Sequence, residues 1–467
     1  MNPLAPEIHL NTTMDLATLA NEHVNLIGDQ FDHPELWELF QQAENSPDLN
    51  DYVEYLKQLL SVSQNPLASK LLNVLYAVTS AHTGNYKIAC EILDDYSNKY
   101  SQCPLVAGAF FHVQKIAQPD NPKFDLTNKI CKYPFERMEI LENGVHQCCA
   151  SWLHLSIGNL KTQSSDEVWN SPNAQAVRKS VLDGSYRYCS KILCPEIQGN
   201  RLFSAEELKN SSPEWKKIIE EKKTHLEETP KALNLVYDRT CNLFCPSCRR
   251  ERFAIDAETR KIYEEMQERS VIPMLKKAKH VCITGSGDPF ASKIFRQLLS
   301  AINKTDFPDL KVEIMTNGML LTRKEWEKFS HLSGQICKLR VSIDAATKET
   351  HELLRRGAKW ETMLENMKFF GELYQQKVVD TYHLIFIVQS ENFREMGDAV
   401  SLAKEVGANL IEFYKISNWG TFSEEEFRNK TPFNESHPLH DEFKRCMQDE
   451  RLKDPIVQIT DLESFLQ

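Results

Sequence analysis

The chain has 467 residues, 41% of them hydrophobic, and a formal charge of −11. Those values exclude wholesale disorder. The acidic balance leaves no electrostatic footprint for nucleic acid or an anionic membrane surface. At ~150 residues per domain, the length points to about three domains. No apolar run approaches the ~18 residues a spanning helix needs. The first twenty residues lack a basic segment followed by an apolar core, so no secretory signal is expected and a cytoplasmic location is. The unusual count is the 13 cysteines. In a cytosolic chain, metal ligation, catalysis or burial outrank disulfides as their use.

Residues 1–127 read as helical. The stretch 71–105 has helical periodicity around a Gly84-Asn85-Tyr86 turn. Ala81, Gly84, Tyr86, Ala89 and Pro104 resemble the small and aromatic positions of a tetratricopeptide-type helix pair, and a generic helical cap fits equally well. Residues 128–200 are rich in Cys, Trp and turn residues, the composition of a small domain that needs a metal staple. Residues 201–230 form a charged helical linker, with Ser204 and Glu207 as a capping box and Pro230 as its end.

From 231 the pattern becomes alternating strands and helices. The strands are expected at 232–238, 280–285, 311–316, 338–344, 382–389 and 410–416. Apolar, β-branched strands separated by amphipathic helices imply a parallel sheet covered by helices. Six units within 231–420 fall short of an eight-unit barrel. The expected fold is therefore α/β, an open, partial (β/α)6 barrel of the TIM type, with a doubly wound sheet as the alternative. Residues 421–467 are left as an extension.

Cys241, Cys245 and Cys248 lie on the loop after the first of these strands, spaced C-x3-C-x2-C. Three thiolates from one loop can ligate one metal centre. A closed zinc site wants a fourth ligand, which would have to come from elsewhere, for instance Cys282. Three ligands suit an iron–sulfur cluster with one iron left open. The spacing differs from those of ferredoxins.

In parallel barrels, function gathers at the carboxyl ends of the strands. Those ends here carry Gly285-Ser286-Gly287-Asp288, then Thr316-Asn317-Gly318, Ser342 with Asp344, Gln389-Ser390, and Tyr414-Lys415. Arg355-Arg356 reads as a solvated helix face, with a carboxylate or substrate clamp as the alternative.

This combination resembles the radical S-adenosylmethionine (radical SAM) superfamily. Cys241-Asn-Leu-Phe-Cys245-Pro-Ser-Cys248 is similar to its signature loop, with Ser247 where an aromatic residue is common. The resemblance implies that these three cysteines hold a 4Fe–4S cluster whose open iron is chelated by SAM. It also implies reductive cleavage of SAM to a 5′-deoxyadenosyl radical that abstracts hydrogen from a substrate. Gly285, Gly287 and Asp288 resemble the glycine-rich SAM motif, with Asp in place of the usual Glu. Asn317 belongs to the same polar rim. Ser342 and Asp344 match positions facing the ribose or methionine end of SAM. Gln389 and Tyr414 are candidates near the adenine, with strand-end packing as the other reading.

The earlier group, Cys131, Cys148, Cys149, Cys189 and Cys194, could close a full coordination sphere, which suits a structural or electron-transfer centre. The region resembles a SPASM/twitch auxiliary-cluster domain in Cys131, the Gly144-Val145 turn before the cysteines, Ile157-Gly158-Asn159-Leu160, Trp169-Asn170-Ser171, and Cys189 with Cys194. Such domains usually follow the barrel; this one precedes it. The resemblance implies one auxiliary 4Fe–4S cluster on Cys131, Cys148, Cys189 and Cys194. Counting from Val145 favours Cys148, and counting from Gly144 favours Cys149. A zinc staple is the alternative.

The function implied is a radical SAM enzyme. Its substrate would be a peptide or protein first, and a sugar or other small metabolite second. A low-potential donor such as flavodoxin or ferredoxin would supply electrons. A non-enzymatic zinc or iron–sulfur module is the remaining alternative. Cys90, Cys103, Cys282, Cys337 and Cys446 read as buried small hydrophobes.

Overall fold

The computed structural model describes residues 49–62, 66–99, 104–118, 121, 124–153 and 155–465. Residues 1–48 of the expected helical region, and Cys103, lie outside them. The chain divides into two compact units. The first comprises residues 1–135, 146–158 and 169–227; the second comprises 136–145, 159–168 and 228–467.

The second unit is built on a nine-stranded sheet. Its strands are β1 (Arg137–Leu141), β2 (Gly144–His146), β3 (Ala232–Leu235), β4 (His280–Ile283), β5 (Lys311–Thr316), β6 (Ile336–Ser342), β7 (Tyr382–Val388), β8 (Leu410–Lys415) and β9 (Val457–Ile459). They lie in the order β9-β8-β7-β6-β5-β4-β3-β1-β2. From β3 to β8 each strand is parallel to the next in the chain. A doubly wound sheet reverses its strand order at a switch point. From β3 to β9 the spatial order follows the chain without reversal, which selects the partial barrel over that alternative.

Three further strands, β1, β2 and β9, extend the sheet beyond 231–420. β1 pairs in parallel with β3, and β9 pairs in parallel with β8. The sequence pattern signals none of them. β1 lies in the turn-rich cysteine segment and β9 has three residues. Pairing with an existing edge decides such short segments more than their own propensity does.

Along each barrel strand, alternate residues are fully buried: Val281 and Ile283, Val312 and Ile314, Leu339 and Val341, Leu384 and Phe386, Ile411 and Phe413. Each contributes ~1.5–3 kcal/mol by leaving water. The opposite face carries His280, Glu313, Arg340, His383 and Glu412. Arg340 pairs with Glu412 at 2.8 Å and with Glu313 at 3.5 Å. His383 Nδ1 lies 2.6 Å from Glu412, and His280 Nε2 lies 3.3 Å from Glu313. Burial opposes the Glu412 charge, but hydrogen bonding to His383 and the Arg340 guanidinium hold its carboxyl down to about 2. Hydrogen bonding to Cys337, then to Glu313, lifts His280 to about 9.

In the first unit, α1 (Leu49–Val62), α2 (Pro66–His82), α3 (Tyr86–Lys99) and α4 (Pro104–Ala117) pack on one another in chain order. The expected turn between α2 and α3 is present, with Gly84 at φ 87° in the left-handed region that favours glycine. The capping box of Ser204 and Glu207 opens the helix Ala205–Ser211.

Arg178 fixes the cysteine-bearing part of this unit. It is fully buried. Its Nε donates to the Pro134 carbonyl at 2.9 Å, and its two terminal nitrogens donate to the Thr224 and Trp169 carbonyls, each at 2.8 Å. Its guanidinium lies over the Trp169 ring, 4.3 Å from the centroid. Desolvation pulls Arg178 down to about 9.

Replacing Arg178 by Ala orphans these buried carbonyls and opens a cavity, which should cost about 3 kcal/mol or more; chemical denaturation measures it. A pH series tests His280. Its folded value lies above the ~6.5 of a free histidine. The stability it contributes is therefore fully present below about pH 6.5 and is lost as the pH rises through about 9. Urea midpoints of the wild type and of His280→Gln should differ most at pH 6 and converge above pH 9.

Candidate functional site

Strand β3 delivers the chain into the three-cysteine loop. Asp238 is fully buried, and its Oδ1 accepts from Thr240 N at 2.9 Å. Cys241 N donates to the Phe253 carbonyl at 3.0 Å and closes the loop at its neck. Within it, Cys248 N and Arg249 N both donate to the Cys245 carbonyl at 2.9 Å. That turn brings the second and third thiols to the same side.

Asp288 fastens this loop to the strand ends. Its Oδ1 accepts from Phe290 N at 3.0 Å. Its Oδ2 accepts from Thr316 Oγ1 at 2.6 Å and from Asn317 N at 2.9 Å. Burial raises its carboxyl, and these hydrogen bonds pull the other way. Asn317 Nδ2 then donates to Asn242 Oδ1 at 2.9 Å and approaches Cys241 Sγ at 3.6 Å. The sequence reading places Asp288 in the glycine-rich SAM motif. In the structure both its oxygens accept hydrogen bonds from within the protein.

The glycines of this segment do different work. A Cβ at Gly287 would stand 2.7 Å from the carbonyl oxygens of Asp238 and Thr240. Only glycine lets the segment lie against the approach to Cys241. Gly285 is exposed, and a Cβ there would meet nothing within 4 Å.

Asp344 has φ 54°, a left-handed conformation that Asp tolerates. Its Oδ1 accepts from Ile387 N at 2.9 Å, and its Oδ2 pairs with Arg355 at 2.6 Å. Ser342 ends β6, half-buried. Gln389 is buried just past β7, its N–H donating to Asn392 Oδ1 at 2.8 Å. The Tyr414 hydroxyl belongs to the polar face below, where it accepts from Arg340 at 2.9 Å and donates to Glu412.

Two arginines stand beside the thiols: Arg249, which the sequence reading passes over, and Arg355, which it gives to a solvated helix face. Arg249 donates to the Arg239 carbonyl at 2.7 Å, to Cys248 Sγ at 3.3 Å, and to the Ser286 carbonyl. It thereby staples the cysteine loop to the glycine-rich segment. Arg355 is half-buried beside Asp344, and its charge favours the Cys245 thiolate against a burial that raises that thiol. The helix Lys348–Leu354 ends just before Arg355, so the side chain turns inward instead of lying on a solvated face. Burial, and then Asp288, push Cys241 up to about 11.

In the first unit, Cys131, Cys148, Cys189 and Cys194 line one pocket with Tyr133, Pro134, Trp152, Leu153, Tyr186, Ile197 and Leu202. Cys149 is not among the lining residues, so the pocket takes Cys148 of the adjacent pair. Burial raises the Cys131 thiol most, followed by Cys148, Cys189 and Cys194. The four sulfurs thus share one electrostatic field. Trp152 Nε1 donates to Cys148 Sγ at 3.1 Å. None of the described cysteines is in a disulfide. Burial pushes Cys282 up to about 12.

Among the described residues, no three His, Cys, Asp or Glu side chains form a ready-made site for a single metal ion. The fit to clusters rests on donor chemistry. Each set is all-thiol, three on one open loop and four around one pocket, and buried thiolates need a cationic partner to stay charged. Because burial raises Cys131, Cys189, Cys194, Cys241 and Cys245, loading should release protons.

The radical SAM superfamily model matches residues 235–403. The model of an iron–sulfur cluster-binding domain, SPASM, matches residues 131–195. The chain accordingly carries a radical SAM domain, with a SPASM domain ahead of it. These domains imply a 4Fe–4S cluster, SAM and an auxiliary cluster. No curated protein matches the chain.

Solved structures with some similarity include Streptococcus suis SuiB bound to precursor peptide SuiA, at 15% identity over 65% of this chain and 66% of that one, TM-score 0.35. Another is anSMEcpe with bound AdoMet and Kp18Cys peptide, at 17% identity over 49% of this chain and 63% of that one, TM-score 0.34. A third is TYW1 with a lysine–pyruvate adduct, at 16% identity over 48% of this chain and 74% of that one, TM-score 0.31. The chain thus spans just under two-thirds of the length of the SuiB and anSMEcpe chains. Among the described residues, no helix is long and apolar enough to cross a membrane.

Gly287→Ala should push the Asp238–Thr240 backbone away and lower stability by about 1–3 kcal/mol. Iron bound by the three-cysteine loop should fall with it, while iron in the other pocket stays. Iron assay after anaerobic reconstitution measures both.

Proposed function

We propose that this chain is a cytoplasmic enzyme that reductively cleaves SAM and abstracts hydrogen from a substrate, first a peptide or protein side chain. The observation that carries this reading is the loop after β3, which offers three thiols and no fourth cysteine at the carboxyl end of a parallel, barrel-ordered sheet. When bound there, a 4Fe–4S cluster supplies the electron that breaks a carbon–sulfur bond of SAM.

The residues divide the remaining work. Cys241, Cys245 and Cys248 hold the cluster. Gly285 leaves room for a ligand to reach the backbone of the glycine-rich segment, and Gly287 lets that segment sit close to the cysteine loop. Asp288 and Asn317 act as positioning residues, because their polar groups join the loop to β5. Asp344 faces SAM at the end of β6 with Ser342, and it keeps Arg355 beside the thiols. Gln389 closes the rim. Cys131, Cys148, Cys189 and Cys194 would hold the auxiliary cluster, which would serve electron exchange with a low-potential donor such as flavodoxin or ferredoxin, or with the substrate.

The stacked helices α1–α4 support a peptide substrate, since successive helix pairs form extended surfaces that can take a segment of chain. Oxidation or epimerisation of a small metabolite is the second reading, favoured by the polar sheet face around Arg340, Glu412 and Tyr414.

Anaerobic reconstitution should load about eight irons, four per cluster, and release 5′-deoxyadenosine from SAM once a reductant is added. Replacing Cys241, Cys245 and Cys248 by Ala should abolish the release and leave about four irons. A colourless protein that does not cleave SAM would refute the reading. Deuterium moving from a labelled peptide into 5′-deoxyadenosine would identify the substrate class; transfer from a labelled sugar would favour the second reading.

A further inference from the structure

Trp152 stands four residues beyond Cys148. A turn fixes it there, because Trp152 N and Leu153 N both donate to the Cys149 carbonyl, at 3.2 and 3.0 Å. The Trp152 carbonyl accepts from Ser190 N at 2.7 Å, next to Cys189. Its ring packs against the cluster of Cys148, Leu153, Leu155 and Val177. One residue therefore anchors the segments of two thiols with its backbone and aims its indole Nε1–H at the sulfur of Cys148, 3.1 Å away.

We propose that Trp152 is a positioning residue that sets the reduction potential of the auxiliary cluster through this hydrogen bond. The inference rests on the reading of Cys131, Cys148, Cys189 and Cys194 as that cluster's ligands. Reduction by one electron adds negative charge that the thiolate sulfurs share. The non-cysteine pocket walls are aromatic and aliphatic, with no charged side chain among them. Such walls respond weakly to added charge, so a fixed dipole counts for more there than in water. Hydrogen bonds to cluster sulfurs are an established lever on potential. The indole N–H is a donor only. It favours the more negative, reduced state and keeps its proton throughout. Backbone N–H groups of Tyr133, Ile197 and Glu196 favour the thiolates of Cys131 and Cys194, and side-chain substitution at 152 leaves those in place.

The test uses the full chain with Cys241, Cys245 and Cys248 replaced by Ala, so that only auxiliary iron is observed. Redox titration followed by electron paramagnetic resonance compares this parent with the same chain carrying Trp152→Phe, which keeps an aromatic ring and removes the N–H. At a fixed poise the reduced-to-oxidised ratio should fall about tenfold, a shift of ~59 mV to more negative potential for one electron. An unshifted midpoint at unchanged iron content overturns the proposal. A parent without auxiliary iron overturns the underlying reading, and the proposal with it. If the Phe variant fails to load, the parent carrying 15N-indole-labelled tryptophan decides. A resolved 15N hyperfine coupling to the reduced cluster supports the hydrogen bond, and its absence rejects it.

Discussion

Both oxygens of the fully buried Asp288 carboxylate are taken up inside the protein, by Phe290 N, Thr316 Oγ1 and Asn317 N. A carboxylate at that depth is costly unless every acceptor site is used. Its hydrogen bonds therefore fix the spacing between the glycine-rich segment and the end of β5. Asn317, held by this contact, reaches Asn242 and Cys241. Arg249 completes the frame from the other side, through the Arg239 and Ser286 carbonyls. The three thiols inherit their placement from this network, because a loop of this length has no core of its own.

The two thiol sets meet different surroundings. Guanidinium groups stand beside the three on the loop, with Arg249 on Cys248 and Arg355 near Cys245. The four in the pocket are walled by aromatic and aliphatic side chains. Positive charge stabilises thiolate and any further electron density placed on it, whereas apolar walls oppose both. An open, electropositive centre suits a ligand carrying a carboxylate, such as the methionine end of SAM. A dry, four-thiol centre suits storage or transfer of an electron.

Much of the fold was legible in the sequence because barrel strands leave a strong local mark. Val281-Cys282-Ile283 and Leu384-Ile385-Phe386 are short apolar runs between amphipathic helices, and all six expected strands form. β1 and β9 leave no such mark, being defined by the edges they join. The site divides the same way. Cysteine spacing is a property of the chain, so both thiol sets could be read directly. The inward turn of Arg355 depends on where a helix stops, and the wholly internal partners of Asp288 depend on the neighbouring strand. Arg178 also reads as an ordinary helix residue until Pro134, Trp169 and Thr224 present their carbonyls to it.

By itself, the sequence determined the strand–helix alternation, the three thiols on one loop and the grouping of the other cysteines. Each is written in spacing along a few residues, and local geometry preserves spacing. Only the tertiary structure decided that the sheet runs without reversal from β3 to β9 and takes strands from 137–141 and 457–459. It also lined the four-thiol pocket with Cys148 and not Cys149, and turned Asp288 inward. Those outcomes depend on which distant groups meet once the chain is buried, where each polar atom must find a partner or pay the cost of desolvation.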